Sequence, residues 1–176
     1  MFSLFICYMN WVVLIGFMGA GKSTIGKNLA EMLGFPFVDT DECIEQKENN
    51  SISSIFEKKG EVQFREMEAD LIRSLNVNDK MVLAVGGGLP VYHDNMQFLN
   101  SHGYTIYLKH EADELAKRLK KEREHRPLLA KLTDKELLEY VTWMLEKRAR
   151  VYEQSKLILP TSEQNMAQIL DRINLF

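Results

Sequence analysis

The chain is poor in cysteine. Only Cys7 and Cys43 occur in 176 residues, and their spacing fits no metal-ligand pattern. That argues against a thiolate metal site and points to a reducing compartment. An excess of positive charge is also missing. Lys and Arg number 22 against 25 Asp and Glu, a net charge of −3, and no basic run is interleaved with aromatics. A nucleic-acid or other polyanionic partner is therefore not expected. There is no internal repeat and no low-complexity segment. An Asn-Lys-x-Asp guanine motif is absent, which counts against a GTPase-like switch module. The one long uncharged apolar stretch is residues 1–20. It lacks a basic n-region, and its second half already reads as a strand and a phosphate loop, so it serves as neither signal peptide nor membrane span. Residues 1–8, ahead of Met9, read as a frayed tail or start-site extension. The expectation is a cytoplasmic chain with no membrane partner.

What is present is enough for one compact domain with a small mobile insert. The apolar fraction is 45%, sufficient for a core between helices. Helical patterns alternate with short apolar strands, the order of a parallel α/β sheet. Strands are expected at 11–15, 37–39, 81–85, 104–108 and 157–159. A first helix follows over 23–33, with Ile25, Leu29, Met32 and Leu33 on its buried face. Residues 41–48 read as a helical turn or two, and 51–76 as two amphipathic helices broken at Gly60. Shorter helices follow at 94–101 and 112–121. Glu122 to Leu132 is charged, contains Pro127 and lacks helical periodicity. Thr133 with Glu136 predicts a capping box for a helix to about Glu153, and Ser162 a cap for the last helix.

The chain is organised around Gly16-Phe-Met-Gly-Ala-Gly-Lys-Ser-Thr24. This is G-x-x-x-x-G-K-S set between a strand and a helix, the context of a phosphate-binding loop. Glycines let backbone N–H groups turn toward phosphate oxygens, and the helix N-terminus adds a positive end. Gly19, Ala20, Gly21, Lys22, Ser23 and Thr24 are thus assigned to ATP. Lys22 is expected to reach the β- and γ-phosphates, and the Ser23 hydroxyl to bind Mg²⁺.

Two further features fall at the same sheet edge. Strand two ends in Asp39-Thr40-Asp41, where carboxylates can serve the metal or accept the proton of an attacking hydroxyl. Aspartates that cap the helix after them would sit in the same place, and position alone leaves the two readings even. Strand three ends in Gly86-Gly-Gly88, where a hydrolase or motor usually carries a metal-binding acid. Three glycines bare the backbone and favour a small ligand lying against N–H groups.

With these motifs on the page, the chain resembles the shikimate kinase family from about Trp11 to its C-terminus. The resemblance rests on the phosphate loop, Asp39-Thr-Asp41, Gly60-Glu-x-x-Phe-Arg65-x-x-Glu68, Gly86-Gly-Gly88, Arg126-Pro-Leu-Leu129 and Arg148-x-x-x-Tyr152. It implies a nucleoside-monophosphate-kinase-like, three-layer α/β/α fold with a five-stranded parallel sheet in order 2-3-1-4-5. It also implies substrate-binding helices over about 41–76 and a lid over about 122–132. The implied reaction is ATP- and Mg²⁺-dependent phosphorylation of shikimate at its 3-hydroxyl by a monomer. Arg65 and Arg148 match the arginines that grip the shikimate carboxylate. Asp41 matches the acid that takes the ring hydroxyls and acts as base. Gly86, Gly87 and Gly88 match the substrate-side backbone, and Asp39, with Ser23, the Mg²⁺ side. Glu68 is expected to orient Arg65. Arg126 matches the lid arginine on the ATP phosphates and Arg118 the arginine near adenine, while Gln164 is assigned to the adenine-side loop. The segment Arg148-Ala-Arg-Val-Tyr152 departs from the family's Arg-x-Pro-Leu-Tyr, so Arg150 competes with Arg148. A kinase of the same architecture acting on gluconate is the nearest rival reading.

Overall fold

The computed structural model describes residues 10–122 and 127–174. Five strands form one parallel sheet: β1 (Trp11–Ile15), β2 (Phe37–Asp39), β3 (Met81–Ala84), β4 (Gly103–Lys109) and β5 (Leu157–Pro160). Their order is β2-β3-β1-β4-β5, as the resemblance implied. A parallel sheet is covered on both faces, so its strands need not alternate polar with apolar. All five residues of β1 are buried accordingly. Val12 and Leu14 face one core. Trp11, Val13 and Ile15 face the other.

The first of these cores is covered by α1 (Lys22–Leu33), α5 (Ala112–Glu122), the first half of α7 (Asp134–Tyr152) and α8 (Met166–Asn174). The second is covered by the end of α3 (Ile52–Ser74), by α4 (Asn95–His102) and by Tyr152 of α7. A satellite cluster of Ile44, Ile55 and Phe64 joins α2 (Thr40–Glu48) to α3. No helix among the described residues is long and apolar enough to cross a membrane.

Most local signals hold. Thr133 and Glu136 form the capping box of α7. The helical run 52–74 is broken at Gly60, which takes φ +81° and ψ 169°, a conformation close to glycine-only. Three expectations are corrected. The buried line of α1 runs through Gly26, Leu29 and Ala30, while Met32 is half exposed. The Phe37 ring occupies the space where a Gly26 side chain would stand, and this close packing sets the helix rotation. Ser162 does not cap the last helix. It lies in a 3₁₀ turn, Thr161–Glu163, and Asn165 Oδ1 accepts from Gln168 N at 3.0 Å instead. Within 122–132, Pro127–Ala130 forms one helical turn, α6, with Leu129 buried in the first core. Residues 123–126, and with them Arg126, lie outside the described residues, as do residues 1–9.

Candidate active site

Register brings the chemistry to one edge. Leu14 and Asp39 both pair with Ala84, so the three chains leave the sheet side by side. The glycine loop, Asp39-Thr40-Asp41 and Gly86-Gly87-Gly88 follow from there. They bound a cleft of about 290 Å³ lined by Gly19, Gly21, Lys22, Ser23, Asp39 and Asp41, with Gly87 at its far side.

The loop is built for an anion. Gly19 and Gly21 take φ +77° and +89°, which other residues adopt only with strain. Helix α1 opens on Gly21 with no side-chain cap and no acid in its first turn, so its first N–H groups face the cleft without a protein carboxylate competing for them. Lys22 Nζ donates to the carbonyls of Gly16 and Phe17, each at 2.9 Å. Thr24 is exposed on the cleft wall. Arg118 Nη1 donates to the Gly19 carbonyl at 3.3 Å, which sets it over the phosphate loop.

Asp39 caps the helix and also reaches the phosphate loop. Its Oδ1 accepts from Asp41 N at 3.0 Å, capping α2, and its Oδ2 accepts from Ser23 Oγ at 2.7 Å. A hydroxyl and a carboxylate side by side at the phosphate loop suit Mg²⁺, which keeps several waters and phosphate oxygens. No group of three or more His, Cys, Asp or Glu able to hold a metal occurs among the described residues. Asp41 lines the cleft beyond Asp39. Burial, then the neighbouring Asp39, raises its pKa, while Lys22 and Arg65 pull it back down.

The triple glycine has a reason that local sequence hides. A Cβ on Gly86 would lie 2.5 Å from Glu68 Oε1 and 2.7 Å from Asp41 Oδ1. One on Gly88 would collide with the Arg65 guanidinium, and one on Gly87 would stand 3.3 Å from Arg148 Nη1. These glycines make room for the charged side chains of the site. The Gly86 N–H is already taken by Thr40 Oγ1 at 2.9 Å, which corrects the expectation that a ligand would lie against it. Thr40, fully buried between the two aspartates, is thus a site residue that the sequence reading passed over. Tyr152 is another: its hydroxyl donates to the Gly87 carbonyl.

Arg65 and Arg148 differ in their partners. Arg65 donates to Glu68 at 2.6 Å and to Glu61 at 3.1 Å, with Phe56 and Phe64 rings against it. Glu68 is 1% exposed, and burial lifts its pKa to about 7 even though Arg65 acts to lower it. Its Oε1 has no hydrogen-bond partner among the described residues. Arg148 is buried, lies over the Phe17 ring at 5.5 Å and forms no salt bridge among the described residues. Arg150 is exposed, so of the two arginines only Arg148 faces the glycines. Gln164 sits in the turn after β5 and spends its amide N–H groups on the carbonyls of Lys109 and Leu159, at 3.1 and 2.9 Å.

The sequence model described as Shikimate kinase matches residues 18–175. The chain belongs to the shikimate kinase family. A curated shikimate kinase of Parabacteroides distasonis is 40% identical over 149 residues, 85% of this chain and 86% of that protein. The crystal structure of shikimate kinase from Bacteroides thetaiotaomicron superposes with a TM-score of 0.80 at 35% identity, covering 93% of each chain. Shikimate kinase from Acinetobacter baumannii in complex with shikimate gives 0.81 at 33% identity, covering 94% of this chain and 89% of that one.

Proposed function

We infer that this cleft carries out the ATP-dependent phosphorylation of shikimate to shikimate 3-phosphate, releasing ADP. Phosphoryl transfer asks for positioning and charge neutralisation more than for covalent chemistry. ATP lies with its phosphates on Gly19 to Thr24 and its terminal phosphate at Lys22. Ser23 and Asp39 hold Mg²⁺, which offsets phosphate charge when bound. Arg118 flanks the nucleotide, and Gln164 braces the turn beside the adenine. Arg126, in the proposed lid, adds positive charge at the phosphates. Shikimate lies against Gly87 and Gly88, while Gly86 makes room for Asp41 and Glu68. Arg65 and Arg148 take its carboxylate, and Asp41 orients the 3-hydroxyl and accepts its proton. The chain acts as a monomer.

The observation that carries the substrate side is Arg148. Among the described residues Arg148 has no carboxylate within salt-bridge distance, and the Glu68 charge acts on it only from further off, so the desolvation of this buried guanidinium is incompletely offset by a counter-charge. An anionic ligand supplies that charge, and a planar carboxylate suits the guanidinium fork. Coupled ADP-release assays with shikimate and with gluconate test the reading. Shikimate-dependent turnover is expected in the wild type, with Arg148→Ala raising the KM for shikimate at least tenfold on the scale of a lost charged hydrogen bond, about 1.5–3 kcal/mol. Turnover with gluconate alone, or an unchanged shikimate KM in Arg148→Ala, would sink it.

A further inference from the structure

His110 follows β4 directly, and no feature of the catalytic reading uses it. Its side chain is fully buried. Its Nε2 lies 3.1 Å from the Ala20 carbonyl, 90 residues away and inside the phosphate loop. A carbonyl can only accept, so Nε2 carries the hydrogen. On the other side of the ring, Nδ1 lies 3.0 Å from Thr161 Oγ1 and 3.4 Å from Glu114 Oε2. Glu114 Oε2 is a second acceptor for the same hydroxyl, at 2.7 Å, so the one Thr161 hydrogen is shared between the carboxylate and the ring. One imidazole therefore bridges the phosphate loop and the turn after β5.

The peptide plane gives this contact a consequence. The Ala20 carbonyl and the Gly21 N–H belong to one trans peptide, whose C=O and N–H point in opposite directions. Ala20 is buried and its carbonyl is held toward His110, away from the cleft. The Gly21 N–H is thereby turned the other way, and Gly21 lines the cleft. A flip of that peptide turns ψ of Ala20 and φ of Gly21, and Gly21 is a glycine at positive φ, where the backbone has the greatest freedom. The neighbouring loop contacts do not fix this peptide. Ala20 N donates to Phe17 O at 3.2 Å, Arg118 holds the Gly19 carbonyl, and Lys22 holds those of Gly16 and Phe17.

We propose that His110 is a positioning residue for the nucleotide: through its Nε2–H bond to the Ala20 carbonyl it aims the Gly21 N–H into the cleft as a phosphate donor. The proposal rests on the reading that ATP phosphates occupy this loop. It reaches beyond that reading by assigning loop orientation to a residue outside the loop. Burial, and then the Arg118 charge, push the imidazole below its usual pKa, against the opposing pull of the Ala20 and Glu114 contacts. The Ala20 carbonyl requires a hydrogen on Nε2 whichever way the other nitrogen is protonated, so the loop contact does not depend on that shift.

Three variants separate this role from general support of the fold. Glutamine places an amide N–H near the Nε2 position, asparagine near the Nδ1 position, and alanine at neither. Calorimetry with a nonhydrolysable ATP analogue and, separately, with shikimate is the measurement. His110→Ala and His110→Asn are expected to weaken the analogue about five- to tenfold, the effect of one lost hydrogen bond of about 1 kcal/mol or slightly more. His110→Gln should restore affinity to within about twofold, and shikimate affinity should stay unchanged in all three. The KM for ATP should follow the same order, with the KM for shikimate flat. Equal analogue affinity in His110→Asn and His110→Gln would overturn the proposal, as would a parallel loss of shikimate binding. If His110→Ala fails to fold, the contrast between asparagine and glutamine decides. A wild-type chain that binds no analogue, or Lys22→Ala binding it normally, would instead overturn the nucleotide reading of the loop.

Discussion

Replacing each glycine of Gly86-Gly87-Gly88 by alanine should give three different enzymes. At position 86 the new methyl meets Glu68 Oε1 at 2.5 Å and Asp41 Oδ1 at 2.7 Å, where ordinary contact begins at 3.4 Å. Neither carboxylate is a loose surface end: Glu68 is 1% exposed and paired with Arg65, and Asp41 sits in the first turn of α2. Each must retreat by about 0.7–0.9 Å, close to the ~1 Å misplacement that costs about a hundredfold in rate. Gly86→Ala is therefore expected to lower kcat by about two orders of magnitude, with an overpacking cost of about 1–3 kcal/mol in stability. At position 88 the methyl strikes the Arg65 guanidinium, which Glu61 and Glu68 hold in place. Gly88→Ala should mainly raise the KM for shikimate. At position 87 the nearest atoms lie at 3.3–3.5 Å, and Gly87→Ala should be the mildest of the three. Steady-state ADP release at varied shikimate, with thermal melts for each variant, reads all three effects. Wild-type kcat in Gly86→Ala, or Gly87→Ala as the most damaged variant, would refute the steric argument.

Asp41→Asn and Lys22→Ala should each reduce turnover by about 10²–10⁴, the range of general base and electrostatic contributions, while circular dichroism stays unchanged; near-full turnover in Asp41→Asn would remove its assigned role. Glu68 has its pKa lifted from 4.5 to about 7 in the folded chain. Its contribution to stability is present below about pH 4.5 and is lost as pH rises through about 7, because ionising it in the folded state is disfavoured. Urea titrations from pH 5 to 8 should show that decline in the wild type and a flatter profile in Glu68→Gln. Gly60→Ala meets open space but inherits φ +81°. A backbone strain of about 1–3 kcal/mol is expected, read as a fall in Tm of about 2–4 °C per kcal/mol.

What was legible in the sequence was local or periodic. The phosphate loop, the alternation of strands and helices, the break at Gly60 and the Thr133-Glu136 box each lie within a few residues of chain. The glycines could be read as special, but their reason could not, because Glu68, Asp41, Arg65 and Arg148 reach them from other elements. Two arginines only two positions apart on α7 point to opposite sides of the helix, and the burial of Arg148 beside exposed Arg150 was decided by packing. Ser162 and Asn165 are both good caps; the 3₁₀ turn Thr161–Glu163 takes up Ser162 and moves the helix start to Met166. His110 carried no signal, since its partner in the loop lies 90 residues away.

The most direct measurement is a crystal structure of the chain with shikimate and a nonhydrolysable ATP analogue. The expected result is a terminal phosphate at Lys22, the shikimate carboxylate on Arg148 and Arg65, and the 3-hydroxyl within hydrogen-bond distance of Asp41, facing that phosphate. A carboxylate bound away from both arginines, or a ring whose hydroxyls turn from Asp41, would contradict the account.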